Sequence, residues 1–153
     1  MRNYKPVLLV EDDDVDAMTV KRAFKDLNVT NPLVHSVNGE VALKYLQDQN
    51  NEKPCVILLD LNMPKMNGTE FLKVVKANEE LKHIPVVVLT TSTEECDIIE
   101  TFKQSIGGYI VKPVDYNNFI EAIRTIRLYW TLSELPEQEV GAQNEKYETS
   151  SVS

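Results

Sequence analysis

The sequence predicts an α/β doubly wound domain, with a five-stranded parallel sheet in the order 2-1-3-4-5 and five flanking helices. Five short apolar runs carry the first part of that prediction: Val7–Val10, Leu33–Val37, Cys55–Leu59, Val86–Leu89 and Tyr109–Val111. They are rich in Val, Ile and Leu and nearly lack polar alternation, as strands covered on both faces do. The second observation is that a longer stretch with helical periodicity follows each run. Strands alternating with helices require right-handed crossovers between parallel neighbours, which leaves few topologies. The favoured order reverses once, between the first and third strands.

Each helix has a local reason to form. The first spans about Val15 to Leu27 and lines up Val20, Ala23, Phe24 and Leu27 on one face. The second follows Asn38-Gly39 and carries Val41, Ala42, Tyr45 and Leu46. The third starts after Gly68, with Phe71, Leu72, Val74 and Val75 expected inward. The fourth follows Ser92, where "STEE" offers an N-cap and first-turn acids. The fifth starts after Pro113 with Asp115 as its cap and runs to about Leu135. Its stripe of Phe119, Ile123, Ile126 and Trp130 should pack on the sheet. A second stripe, Leu128, Leu132 and Leu135, falls where the sheet runs out. Exposed apolar area of that kind marks a partner surface, so a homodimer through this end is expected.

The domain is therefore expected over residues 1–135. The segment 136–153, "PEQEVGAQNEKYETSSVS", is polar, acidic and has a single aromatic residue. Such a composition cannot offset the entropy of ordering, so a disordered tail is expected there.

A net charge of −8 argues against a nucleic-acid-binding surface and against docking on an anionic membrane. No apolar stretch approaches the roughly 20 residues of a membrane span. The opening "MRNYKPVLLVEDD" is too short in apolar residues for a signal peptide. Cys55 and Cys96 lie far apart beside apolar residues, as buried reduced thiols do, and a cytoplasmic location follows by default. His35 and His83 stand isolated, without the spacing of a zinc site.

Doubly wound sheets bind ligands at the carboxyl ends of their strands, where the order reverses. Strand one ends in "VEDD", at Glu11 and Asp12, and strand three ends at Asp60. Three carboxylates then share one crevice and repel unless a cation compensates. Mg²⁺ suits an all-oxygen site of this kind, since it needs one or two carboxylates plus waters and phosphate oxygens. Strand four adds the Thr90 hydroxyl to the same rim, and strand five adds Lys112. Two acids, a third acid, a hydroxyl and an ammonium make a phosphate-and-magnesium site with Asp60 as nucleophile. In the same run Asp13 reads as a rim residue and Asp16 as a first-turn acid.

"VEDD", "LLDLNMPKMNG", "VVVLTTS" and "GGYIVKP", in this order and spacing, resemble the response-regulator receiver family of two-component phosphorelays. The resemblance covers nearly the whole expected domain. It implies a flavodoxin-like fold and a phosphoacceptor signalling protein rather than an enzyme. Asp60 would take a phosphoryl group from a phosphohistidine on a sensor histidine kinase. Asp12 and Asp60 would ligate Mg²⁺ directly, Glu11 through water, and Asn62 through its backbone carbonyl. Thr90 would turn toward the phosphoryl group, Lys112 would pair with it, and Tyr109 would occupy the aromatic switch position. The ending "IRLYWTLSELPE" is similar to stand-alone receivers paired with bacterial phytochrome kinases. Thr91 is bulkier than the very small residue usual after the switch threonine.

Two other classes compete. Haloacid-dehalogenase-type phosphatases also form an aspartyl phosphate with Mg²⁺, but they place a general acid where this chain has Asn62, and an amide cannot protonate a leaving group. A flavin carrier would need a Ser/Thr/Gly-rich phosphate loop after strand one, where this chain has acids.

Overall fold

A computed structural model describes residues 5–61, 68–90, 108–111 and 115–133. The elements, in chain order, are β1 (Val7–Val10), α1 (Asp14–Asp26), β2 (Leu33–Ser36), α2 (Gly39–Gln47), β3 (Val56–Asp60), α3 (Gly68–Ala77), β4 (Val86–Thr90), β5 (Gly108–Val111) and α4 (Tyr116–Ser133). The strands form one parallel sheet in the order β2-β1-β3-β4-β5, as the strand pattern predicts. The helix expected after Ser92 and the segment 136–153 lie outside the described residues.

Alternate residues of the central strands enter two separate cores, which is why those strands lack polar alternation. On one face Leu8, Val10, Ile57, Leu59, Val86 and Val88 pack with α2 and α3. On the other, Val7, Leu9, Val56, Leu58, Val87, Leu89 and Ile110 pack with α1 and α4. Fully burying a Val, Leu or Ile side chain contributes about 1.5–3 kcal/mol, so these two layers dominate the stability. Cys55, a free thiol, is buried in the second layer.

The buried rows of α2 and α3 share one pattern: Gly39, Ala42, Leu43 and Leu46 in the first, Gly68, Phe71, Leu72 and Val75 in the second. Both follow the i, i+3, i+4, i+7 spacing of a helical face. Val74, expected inward, and Val41 on α2 sit one residue off these rows and are 38% and 43% exposed. In α3 the buried Gly68 sets the phase, because it lets the helix start close against the end of β3. On α4, Phe119 and Ile123 are buried and Ile126 packs against the same core. The side chains of Leu128, Trp130, Leu132 and Leu135 lie outside the described residues.

Side chains cap these helices, Asp115 as the sequence leads one to expect and Asn38 as a finding of the structure. Asn38 accepts from the Val41 N–H at 2.9 Å, and Asp115 from the Asn118 N–H at 3.2 Å. Tyr116, at the start of α4, donates its hydroxyl to Asp26 of α1 at 2.5 Å, and Arg22 lies over its ring. Arg127 donates to the Leu27 carbonyl at the other end of the same helix pair.

Gly68 fixes the spacing between α3 and the end of β3. Its N–H donates to the Leu61 carbonyl at 2.9 Å. A Cβ there would collide with the Leu61 Cα and the Asp60 carbonyl oxygen, both backbone atoms. On helix propensity alone, Gly68→Ala would stabilise by up to about 1 kcal/mol. The close approach reverses that sign, and urea denaturation of Gly68→Ala is expected to show a loss of about 1–3 kcal/mol.

Candidate functional site

The sheet brings the acidic run and the end of β3 together. β1 and β3 are neighbours in register, Val10 opposite Leu59, so Glu11 emerges beside Asp60. One carboxylate oxygen from each of Glu11, Asp12 and Asp60 can be chosen so that all three lie within 4.8 Å of one another. Glu11 is fully buried and Asp60 is 4% exposed, whereas Asp12 faces solvent.

This donor set fits a hard divalent cation: it is all oxygen, formally trianionic, and open to water on the Asp12 side. Two unit charges about 5 Å apart repel by roughly 3 kcal/mol at an effective dielectric near 20. Glu11 and Asp60 carry such a penalty inside the fold unless positive charge offsets it. Among the described residues, Glu11, Asp12 and Asp60 are therefore the group able to hold such an ion.

Hydrogen bonds tie the acidic run to its neighbours. The Glu11 N–H donates to the Ser36 carbonyl at 3.0 Å. The Glu11 carbonyl accepts from His35 Nε2 at 2.7 Å. The Glu11 carboxylate accepts from the Asp13 N–H at 3.2 Å. Asp13, read from sequence as a rim acid, is the N-cap of α1: its Oδ1 accepts from the Val15 and Asp16 N–H groups at 2.8 and 3.0 Å. Asp14 and Asp16 lie in the first turn, where the helix dipole favours them. His35, which looks isolated in the sequence, touches the site directly. Topology was the only signal for it: a polar side chain near the end of the strand beside β1.

β4 carries Thr90 to the same edge, since Leu89 lies opposite Asp60 and Thr90 opposite Val111. Tyr109 lies on β5 opposite Val88. The side chains of Thr90 and Tyr109, and all of Asn62, Thr91 and Lys112, lie outside the described residues. Beside the pocket, α1 exposes Val15 and Met18, 70% and 65% accessible.

A parallel sheet of this order with acids converging at its point of reversal is the architecture of a phosphoacceptor signalling domain. The chain belongs to the response regulator receiver family, which matches it over residues 7–124. Response regulator Rcp1 of Synechocystis sp. is 37% identical over 130 residues, covering 82% of this chain and 88% of that protein. The probable methanogenesis regulatory protein FilR2 of Methanothrix harundinacea is 37% identical over 127 residues, covering 81% of this chain and 82% of its own length. Among solved structures, the Mn²⁺-bound form of Rcp1 superposes with a TM-score of 0.72 at 37% identity, over 82% of this chain and 94% of that one. The phosphorylated cyanobacterial phytochrome response regulator RcpA gives 0.73 at 33% identity, over 84% and 94%. The bacteriophytochrome response regulator RtBRR gives 0.72 at 36% identity, over 95% and 92%. None of these likenesses supports the phosphatase alternative. Among the described residues no helix is long and apolar enough to cross a membrane.

A cation binding only the native cluster stabilises it by mass action. Mn²⁺ at about 100 times its Kd is expected to raise the unfolding free energy by about 2.7 kcal/mol. Asp12→Asn should lose most of that gain and, without metal, be at least as stable as the wild type. Urea denaturation with and without MnCl₂ measures both, and full metal stabilisation of Asp12→Asn would contradict the assignment.

Proposed function

We propose that this chain is a stand-alone receiver that takes a phosphoryl group onto Asp60 from a sensor histidine kinase and signals through the resulting change in its binding surface. The convergence of Glu11, Asp12 and Asp60 at the ends of β1 and β3 carries the reading. Asp60 is the nucleophile because it ends the central strand, its backbone braced by Gly68 and by the Leu61 N–H bond to the Leu89 carbonyl at 3.2 Å.

In the transfer, an Asp60 carboxylate oxygen attacks the phosphorus of the kinase phosphohistidine. The O–P bond forms as the N–P bond breaks, and the electron pair returns to the imidazole nitrogen, which takes up a proton. A bound divalent ion, which we assign as Mg²⁺, supplies positive charge against the anionic phosphoryl oxygens. Asp12 and Asp60 would hold it directly, Glu11 through a water, and Asn62 through its backbone carbonyl. Lys112, which follows β5 in the sequence, pairs with a phosphoryl oxygen.

Phosphorylation replaces a single carboxylate charge with a group of about −1.5 to −2 charges and strong acceptor oxygens. Thr90 turns its hydroxyl toward that group and Tyr109 follows inward, which alters the surface of β4, β5 and α4. The kinase docks over α1, where Val15 and Met18 offer an apolar anchor beside the pocket. We assign it to the phytochrome type, on the likeness to RcpA and RtBRR. The receiver spans residues 1–135, and the acidic segment 136–153 lies outside it. The protein works in the cytoplasm, without nucleic-acid or membrane contacts, as its acidic charge favours.

Incubation with Mg²⁺ and acetyl phosphate should label the wild type with one phosphoryl group and leave Asp60→Asn unlabelled. Equal labelling of Asp60→Asn would remove Asp60 from its role, and enzyme-like turnover of phosphate monoesters would favour the phosphatase class. The second apolar stripe read from the sequence, Leu128, Leu132 and Leu135, makes the chain a homodimer in this reading, so sedimentation at high concentration should give the dimer mass; a monomer would contradict it.

A further inference from the structure

Three carboxylates brought this close together need a backbone that holds them in place. Asp60 is braced from β4 and α3. The other two acids leave β1 on a short connection before α1, and the restraint there is less obvious. The ladder between β1 and β2 ends at Val10 opposite Ser36. Just past that end, Ser36 accepts the Glu11 N–H and the His35 side chain donates to the Glu11 carbonyl at 2.7 Å.

A carbonyl oxygen only accepts, so His35 Nε2 carries the proton. That carbonyl belongs to the same planar peptide unit as the Asp12 N–H. Fixing it fixes the plane from which the Asp12 Cα departs. The Glu11 side chain is held separately, through the Asp13 N–H. Asp13 in turn caps α1. The His35 bond is thus the one side-chain restraint from β2 on the peptide joining the two acids, among the described residues.

We propose that His35 is a positioning residue for the cation site: it holds the Glu11–Asp12 peptide so that the Asp12 carboxylate meets Asp60. The proposal rests on the reading of Glu11, Asp12 and Asp60 as the cation-holding cluster. It assigns His35 no contact with the ion or the phosphoryl group. Supporting partners of this kind tune metal affinity by orienting the groups that ligate.

The test compares His35→Leu, which removes the donor, with His35→Gln, whose side-chain amide can put an N–H near the Nε2 position. Calorimetric titration of the full chain with MnCl₂ reads the affinity, and thermal denaturation in EDTA reports folding. His35→Leu is expected to bind Mn²⁺ roughly 10-fold more weakly, and His35→Gln to recover most of that loss. Imidazole nitrogen NMR of the wild type gives a readout that needs no variant, and it should find Nε2 protonated. Wild-type affinity in both variants, alongside lost affinity in Asp12→Asn, would overturn the role of His35 and leave the cluster intact. Equal weakening of both variants would also overturn it, since the donor would then not be what matters. An Nδ1-protonated, Nε2-bare imidazole would do the same. Undiminished Mn²⁺ binding by Asp12→Asn would overturn the cluster reading, and this proposal with it.

Discussion

Like-charge repulsion at the carboxyl end of the sheet is the constraint around which this molecule is built. Two acids that are almost fully buried, Glu11 and Asp60, face a third, Asp12, with carboxylate oxygens within 4.8 Å. A chain free to relax would swing these groups apart into water. That it does not follows from where they are attached: the ends of two adjacent central strands whose every residue is packed between helices. The apolar layers on both faces of β1 and β3 supply the stability that lets the fold tolerate an electrostatic penalty at its edge. The cluster is held in place by the fold and offers three carboxylates to a cation.

The rigidity continues past the strands. Gly68 lets α3 press against the Asp60–Leu61 peptide, where a side chain would collide. Asp13 caps α1 immediately after the acids, so one run serves the metal pocket and the start of a helix. β2 contributes two bonds to Glu11, one from its backbone and one from His35. Chemistry, capping and strand termination thus fall within a few consecutive residues. This is why the run is so densely acidic: its residues serve different ends, and only some of them join the carboxylate cluster.

Much of this was legible in the sequence, because the relevant signals are local. The five strands, their order and the meeting of Glu11 with Asp60 follow from apolar runs and a topology rule, and each strand lies where its run predicts. The phase of a helix against the sheet was less legible. Val41 and Val74 are as apolar as their buried neighbours, and in α3 it is the close seating of Gly68 against the end of β3 that turns the row of Phe71, Leu72 and Val75 inward. The contribution of His35 could not be read from its own neighbourhood, since it depends on a bond to a carbonyl 24 residues away. Asp13 shows the same limit: acid content is plain in the sequence, but which acid caps the helix and which joins the cluster with Asp60 is settled by backbone geometry at the strand end.

The most direct test of the account asks where a cation goes. Substoichiometric Mn²⁺ added to the ¹⁵N-labelled protein broadens amide signals according to their distance from the ion. The account predicts loss of signal centred on residues 11–13 and 60–61, spreading to Ser36 and Leu89 before any residue of α2. Broadening centred on other acids, such as Glu79 and Glu80, or spread evenly over the acidic surface, would contradict it.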